Sequence, residues 1–171
     1  MATTYTLISS VTVGSGGASS IDFTSIPSTY TDLLVKLSGR SSRAAAVGEE
    51  FYLTFNGSTS GFSERMLRGD GSTAISSSFS GASIQQLGQP GAGATSNVFS
   101  NYEIYIPNYA GSNNKSISID GVTENNATQS YTYFEAGLWS NTSAITSIKI
   151  SAGSYLAVQY STAYLYGISN A

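Results

Sequence analysis

The chain has 171 residues, a formal charge of −3, only 10% charged residues, and neither histidine nor cysteine. Seven basic side chains are too few for a polyanion footprint, which argues against nucleic acid as a partner. The missing His and Cys remove Ser-His-Asp activation, imidazole bases, thiolate nucleophiles, disulfides and the usual zinc ligands.

Apolar residues then recur with period two, the spacing of strands with one buried face. Leu7, Val11 and Val13 open the series, and Leu33, Val35 and Leu37 follow the turn at Pro27. Gly39 to Gly48, with Arg40, Arg43 and Ala44 to Ala46, reads as a long loop with room for one helical turn. Phe51, Leu53 and Phe55 form the next strand, and Gly88 to Ala94 reads as a flexible excursion. Tyr102, Ile104 and Ile106 come next, then Ile117 and Ile119, then Phe134, Ala136 and Leu138 opposite Tyr133 and Trp139. Ile148 and Ile150 precede a final run from Tyr155 to Ile168. Asn56-Gly57, Asp70-Gly71 and Asp120-Gly121 are hairpin signals because they tolerate positive φ. Together these predict an all-β fold: a single antiparallel β-sandwich, jelly-roll-like, spanning residues 1–171.

With 12 Tyr and 7 Phe the chain has enough apolar area to fold, while 32 Ser and 17 Thr make its surface neutral and hydroxyl-rich. The start from Met1 to Tyr5 has no basic and apolar signal-peptide pattern, and no apolar run reaches the ~20 residues of a membrane helix. The expectation is cytoplasmic synthesis without membrane association.

Ten carboxylates remain as candidate chemistry, since glycoside hydrolysis needs only two of them at a suitable separation. Glu49 and Glu50 are adjacent and point to opposite strand faces, whereas Glu103 and Glu135 are the pair that cross-strand pairing can bring together. The plainer reading, solvated strand faces, is favoured, and the chain is not read as an enzyme. Arg68-Gly69-Asp70 matches integrin-binding tripeptides but sits where an Asp-Gly turn accounts for it. Gly91-Ala-Gly93 lacks the lysine of a P-loop and the third glycine of a dinucleotide fingerprint, so no cofactor is expected. Arginine and rigid aromatic rings are the side chains interfaces favour, and Arg40, Arg43, Tyr109 and Trp139 are the candidate partner contacts.

Tyr5-Thr-Leu-Ile-Ser-Ser10, Ile21-Asp-Phe-Thr-Ser-Ile-Pro27, Phe55-Asn-Gly-Ser58, Tyr105-Ile-Pro-Asn-Tyr109 and Tyr160-Ser-Thr-Ala-Tyr-Leu-Tyr-Gly-Ile168 resemble small virion structural proteins of tailed bacteriophages, marine and cyanobacterial types especially. The resemblance spans nearly the whole chain and carries no catalytic residue. It implies a β-sandwich on the virion surface, where it would be a capsid decoration or cement protein. Such a protein would form a homotrimer and bind the major capsid protein. The alternative it leaves open is a tail or head fibre that binds a host surface glycan. Either location also accounts for an outward-facing composition without an export signal, because phage particles assemble inside the host cell.

Overall fold

A computed structural model describes residues 4–44, 48–126 and 130–169. Twelve strands are present among them: β1 (Tyr5–Thr12), β2 (Ser20–Phe23), β3 (Asp32–Ser38), β4 (Glu49–Phe55), β5 (Phe62–Gly69), β6 (Ala74–Gly81), β7 (Ile84–Gln89), β8 (Asn101–Ile106), β9 (Lys115–Val122), β10 (Thr132–Trp139), β11 (Ile148–Ser151) and β12 (Thr162–Ile168). They form two antiparallel sheets, an eight-stranded one ordered β1-β12-β3-β8-β9-β10-β5-β6 and a four-stranded one ordered β2-β11-β4-β7. The fold is the all-β sandwich that the alternation predicts. β1 pairs with β12 and β2 with β11, so N-terminal and C-terminal strands wind together in nested fashion, the jelly-roll-like element of the topology.

The alternating residues of the large sheet supply half of the core. Leu33, Val35 and Leu37 of β3, Tyr102, Ile104 and Ile106 of β8, and Ile117 and Ile119 of β9 are buried. Facing them are Phe51, Leu53 and Phe55 of β4, Ile84 and Leu87 of β7, and Ile148 and Ile150 of β11. One end is filled by aromatic packing, with Trp139 5.6 Å from Phe55 and 6.0 Å from Phe62 between ring centroids. At that same end Lys115, fully buried, donates from Nζ to the carbonyls of Gly111 (2.8 Å) and Asn113, in place of any carboxylate. Burial lowers its pKa.

Two of the three expected hairpin turns do other work. Asp70-Gly71 does close the β5–β6 hairpin, with φ of 88° at Gly71. Asn56-Gly57 does adopt positive φ (53° and 66°), but it carries the chain from the small sheet to the large one rather than closing a hairpin. The Asn56 side chain anchors that crossing by accepting from the backbone amides of Thr146 and Ser147 and donating to the Ala144 carbonyl. Asp120-Gly121 lies inside β9, where a Cβ on Gly121 would stand 2.1 Å from Tyr102 Cε1. Glycine is needed there for ring approach, not for a turn.

Other departures follow from loops locking together. Gly88 and Gln89 belong to β7, and the loop after them is held by the loop after β3: Ser41 N donates to Pro90 O and Ala92 N to Arg43 O. No helical turn occurs among the described residues of that loop, and residues 45–47 lie outside the described ones. The final apolar run is strand only from Thr162, because Ser161 turns back on Val158 and Tyr160 adopts φ of 71°.

Gly121→Ala is expected to destabilise the domain by roughly 1–3 kcal/mol, since the Tyr102 ring, buried on all sides, has no room to retreat. Thermal unfolding checks this, and an unchanged melting temperature would mean the ring is not so confined.

Candidate partner-contact surface

Of the residues singled out from sequence, the structure keeps three inside. Arg40 donates from Nη1 to the carbonyls of Thr95 (2.7 Å) and Val98 (2.9 Å) and from Nη2 to that of Ala94 (3.0 Å). Its rigid fork thus clamps the 90s loop and leaves little for a partner. Tyr109 is buried, with its hydroxyl donating to the Pro27 carbonyl, and Trp139 is the centre of the aromatic cluster. Neither ring lies on the surface of this chain, because each sits at an inward-facing position where apolar area is withdrawn from water. Arg43 is half exposed. It forms an ion pair with Glu49 at 2.5 Å and lies 5.5 Å from the Tyr155 ring centroid.

Arg68-Gly69-Asp70 is likewise engaged internally. The Arg68 guanidinium stacks 4.4 Å from the Tyr131 centroid, and Asp70 Oδ1 accepts from the amides of Ser72 (2.9 Å) and Thr73 (2.7 Å). Those bonds hold the Asp70 carboxyl below its ordinary pKa.

The carboxylates do not assemble as a cross-strand pair of Glu103 and Glu135. Glu103 lies on the outer face of β8, in an ion pair with Lys36 at 2.7 Å, whereas Glu135 points inward from β10. Strand parity separates them: their β-strands face opposite ways at these positions. Glu135 is 1% exposed, and neither carboxylate oxygen has a hydrogen-bond partner among the described residues. Glu64, two positions diagonally away on β5, is also buried and accepts from the Gln85 amide at 2.7 Å. Burial first, and then the Glu64 and Glu50 carboxylates, push the Glu135 pKa up to about 8. Burial likewise raises Glu64 and Glu50. A carboxyl so enclosed has no path to a polysaccharide, and its physical role is in stability.

What the chain does offer to a partner is the outer face of the eight-stranded sheet, which the four-stranded sheet leaves uncovered because it packs only on the inner side. The register defines rows across this face. One row runs Leu7, Tyr166, Leu34, Tyr105, Ser118, Ala136, Arg65 and Ser78. The next runs Ser10, Tyr164, Lys36, Glu103, Asp120, Phe134, Leu67 and Ser76. Phe134 (61% exposed), Tyr5 (54%), Leu7 and Leu67 are large apolar side chains left in water here, and Tyr105, Tyr164 and Val122 join them. Two apolar areas result. One covers β1, β12, β3 and β8, the other covers β10 and β5, and Lys36, Glu103 and Asp120 form a polar belt between them.

Over β12 and β3 the face is concave. A cleft of about 290 Å³ is lined by Tyr5, Leu34, Lys36, Glu103 and Tyr166. A second of similar volume adjoins it past Lys36 and Tyr166, toward Ser38, Asn101, Thr162 and Tyr164. The Tyr105 hydroxyl donates to Asp32 Oδ2 at 2.8 Å, which fixes that ring at the margin and raises its pKa. The candidate contacts read from the sequence did not include Phe134, Leu67 or Leu7. Leu67 shares parity with Arg65 and not with the buried Phe62 and Met66, whereas Leu7 shares its sequence parity with the buried Val13 and reaches the outer face only through the register shift between Leu7 and Ser9.

This defines the class of molecule: a β-sandwich with one broad, uncharged to weakly charged, aromatic-bearing sheet face. No protein-family model matches the chain, and no curated protein matches it.

Because Glu135 binds its proton more tightly folded than unfolded, it is neutral in the native state below about pH 8 and ionised in the unfolded chain above the ordinary carboxyl range. The Glu135 contribution to folding stability is therefore fullest at low pH, falls as pH rises from about 4.5 to 8, and stays low above that. Glu135→Gln should flatten this slope and be more stable at pH 8 by up to about 4 kcal/mol. Urea unfolding at several pH values checks it, and parallel wild-type and variant profiles would contradict it.

Proposed function

We propose that this chain is a bacteriophage virion structural protein that decorates the outer capsid surface and stabilises it by packing contacts with the major capsid protein. The observation that carries this reading is the uncovered outer face of the eight-stranded sheet, with Phe134, Leu67, Tyr5, Leu7 and Tyr105 exposed in a domain whose other large apolar groups are mostly buried. Exposed apolar areas beside a small polar belt are what interfaces use. The sequence resemblance to small phage virion proteins supplies the particle. The neutral, hydroxyl-rich surface suits close docking, because few charges must be desolvated. Burial is worth about 25 cal/mol per Å² before the cost of association, so a handful of such side chains suffices for stable occupancy when many sites act together.

The double variant Phe134→Ser, Leu67→Ser removes exposed side chains only and is expected to leave folding nearly unchanged while reducing occupancy on purified capsids by roughly tenfold or more. Quantitative gel analysis of sedimented particles reads this out. Undiminished occupancy, or particles lacking the protein that resist heat and low salt as well as complete ones, would overturn the reading.

The paired clefts favour a second reading, a fibre-type module that binds a host surface glycan. Tyr166 and Tyr5 present ring surface beside Leu34, and the Lys36–Glu103 ion pair sets charged hydrogen-bonding groups among them. Rings plus convergent polar groups are how sugars are held. Under this reading calorimetric titration with host-envelope polysaccharide gives binding that Tyr166→Ala weakens at least tenfold. No heat from the folded wild-type protein dismisses it.

A further inference from the structure

We propose that β6 is a homodimerisation edge, pairing antiparallel with β6 of a second copy about a twofold axis through Ser77, so that the large sheets of two chains join. β6 ends the eight-stranded sheet, and among the described residues only β5 pairs with it. About half of its backbone N–H and C=O groups therefore point outward with no strand to receive them. Folded domains usually blunt such an edge with a charge, a proline, a bulge or a short strand. β6 has none of these. Its sequence is Ala74-Ile-Ser-Ser-Ser-Phe-Ser-Gly81, its eight residues pair with β5 without a register shift, and all but Ser77 are exposed. The opposite edge of the same sheet, β1, is interrupted by a register shift between Leu7 and Ser9, one of the devices that deters pairing.

The occupant follows from where β6 places its apolar side chains. Ile75 and Phe79 share the inner parity of the sheet, each is 39% exposed, and they lie two residues to either side of Ser77. An antiparallel partner centred on Ser77 sets Ile75 of one chain opposite Phe79 of the other, twice, and covers all four. On the other face the strand bears Ala74, Ser76, Ser78 and Ser80, whose small side chains obstruct nothing. No foreign strand is needed to explain the symmetry. The pairing is small as interfaces go, so the dimer should be of micromolar affinity. The twofold pairing differs from the trimer that the family resemblance implies, and it does not depend on where the protein resides.

The chain contains no cysteine, which permits a register-specific test. Facing Cα atoms in an antiparallel pair are about 4.5–5.5 Å apart, within disulfide range. Only Ser77 faces its own copy in this register. Sedimentation of the wild-type protein at 10–100 μM should give a dimer, and Ser77→Cys should oxidise to a covalent dimer at least tenfold faster than Ser80→Cys. Ile75→Lys with Phe79→Lys should be monomeric, whereas Ile75→Glu with Phe79→Lys should remain dimeric, because each introduced carboxylate then faces an introduced ammonium of the other chain. Circular dichroism shows whether each variant is folded, and the wild-type measurement stands alone if one is not. A wild-type monomer or trimer overturns the proposal. A dimer in which Ser77→Cys crosslinks no faster than Ser80→Cys overturns the register and with it the twofold.

Discussion

The constraint on which the rest of this molecule depends is the packing of a four-stranded sheet against one side of an eight-stranded sheet. The inner sides of both supply a continuous apolar core from Val13 to Leu165, so the domain needs no disulfide or metal to hold it. The same inequality leaves the other side of the large sheet in water. Its strands must satisfy two demands at once, an apolar inner row and an outer row tolerable to solvent, and they answer with Ser, Thr and paired charges in most places. Leu7, Phe134, Leu67 and the tyrosines are exceptions that the fold does not require. They are the residues on which the proposed contact rests.

Charge is used sparingly, and the buried cations are handled differently from the buried carboxyl. Arg40 and Lys115 are held by carbonyl oxygens at the ends of the sandwich, where loop backbone would otherwise lack donors. Glu135 has no such support, and protonation is what makes its position between the sheets tolerable, since a neutral carboxyl costs far less to bury than an ion. Tyr102 and Tyr133 fill the neighbouring space over Gly121 and Gly88, positions where a Cβ would come within about 2 Å of the ring or hydroxyl. Aromatic side chains inside and glycine beneath them are therefore one packing solution. It accounts for part of the chain's glycine content without invoking flexibility.

The sandwich was legible in the sequence because period-two alternation is a local property: β3, β4, β8, β9, β10 and β11 all carry it. β5 and β6 were not, since Glu64 occupies an inward position and half of β6 is serine, so neither shows the apolar rhythm. Gly121 misled as a turn because its role depends on Tyr102, 19 residues away in sequence and adjacent only in the folded sheet. The candidate contact residues were less legible. Parity alone does not say which face of a strand a second sheet will cover, and Trp139 and Tyr109 proved to lie on the covered side. Arg40 likewise reads as an interface arginine until its three carbonyl acceptors are seen.

Hydroxyl-radical footprinting that compares the free protein with the protein on intact particles reads whether the outer sheet face is the contact surface. Tyr5, Tyr105, Phe134 and Tyr164 should lose reactivity on the particle while Tyr155 and Tyr160, exposed elsewhere on the domain, keep theirs. Equal labelling of Phe134 and Tyr105 in both states, or protection confined to Tyr155 and Tyr160, would contradict it.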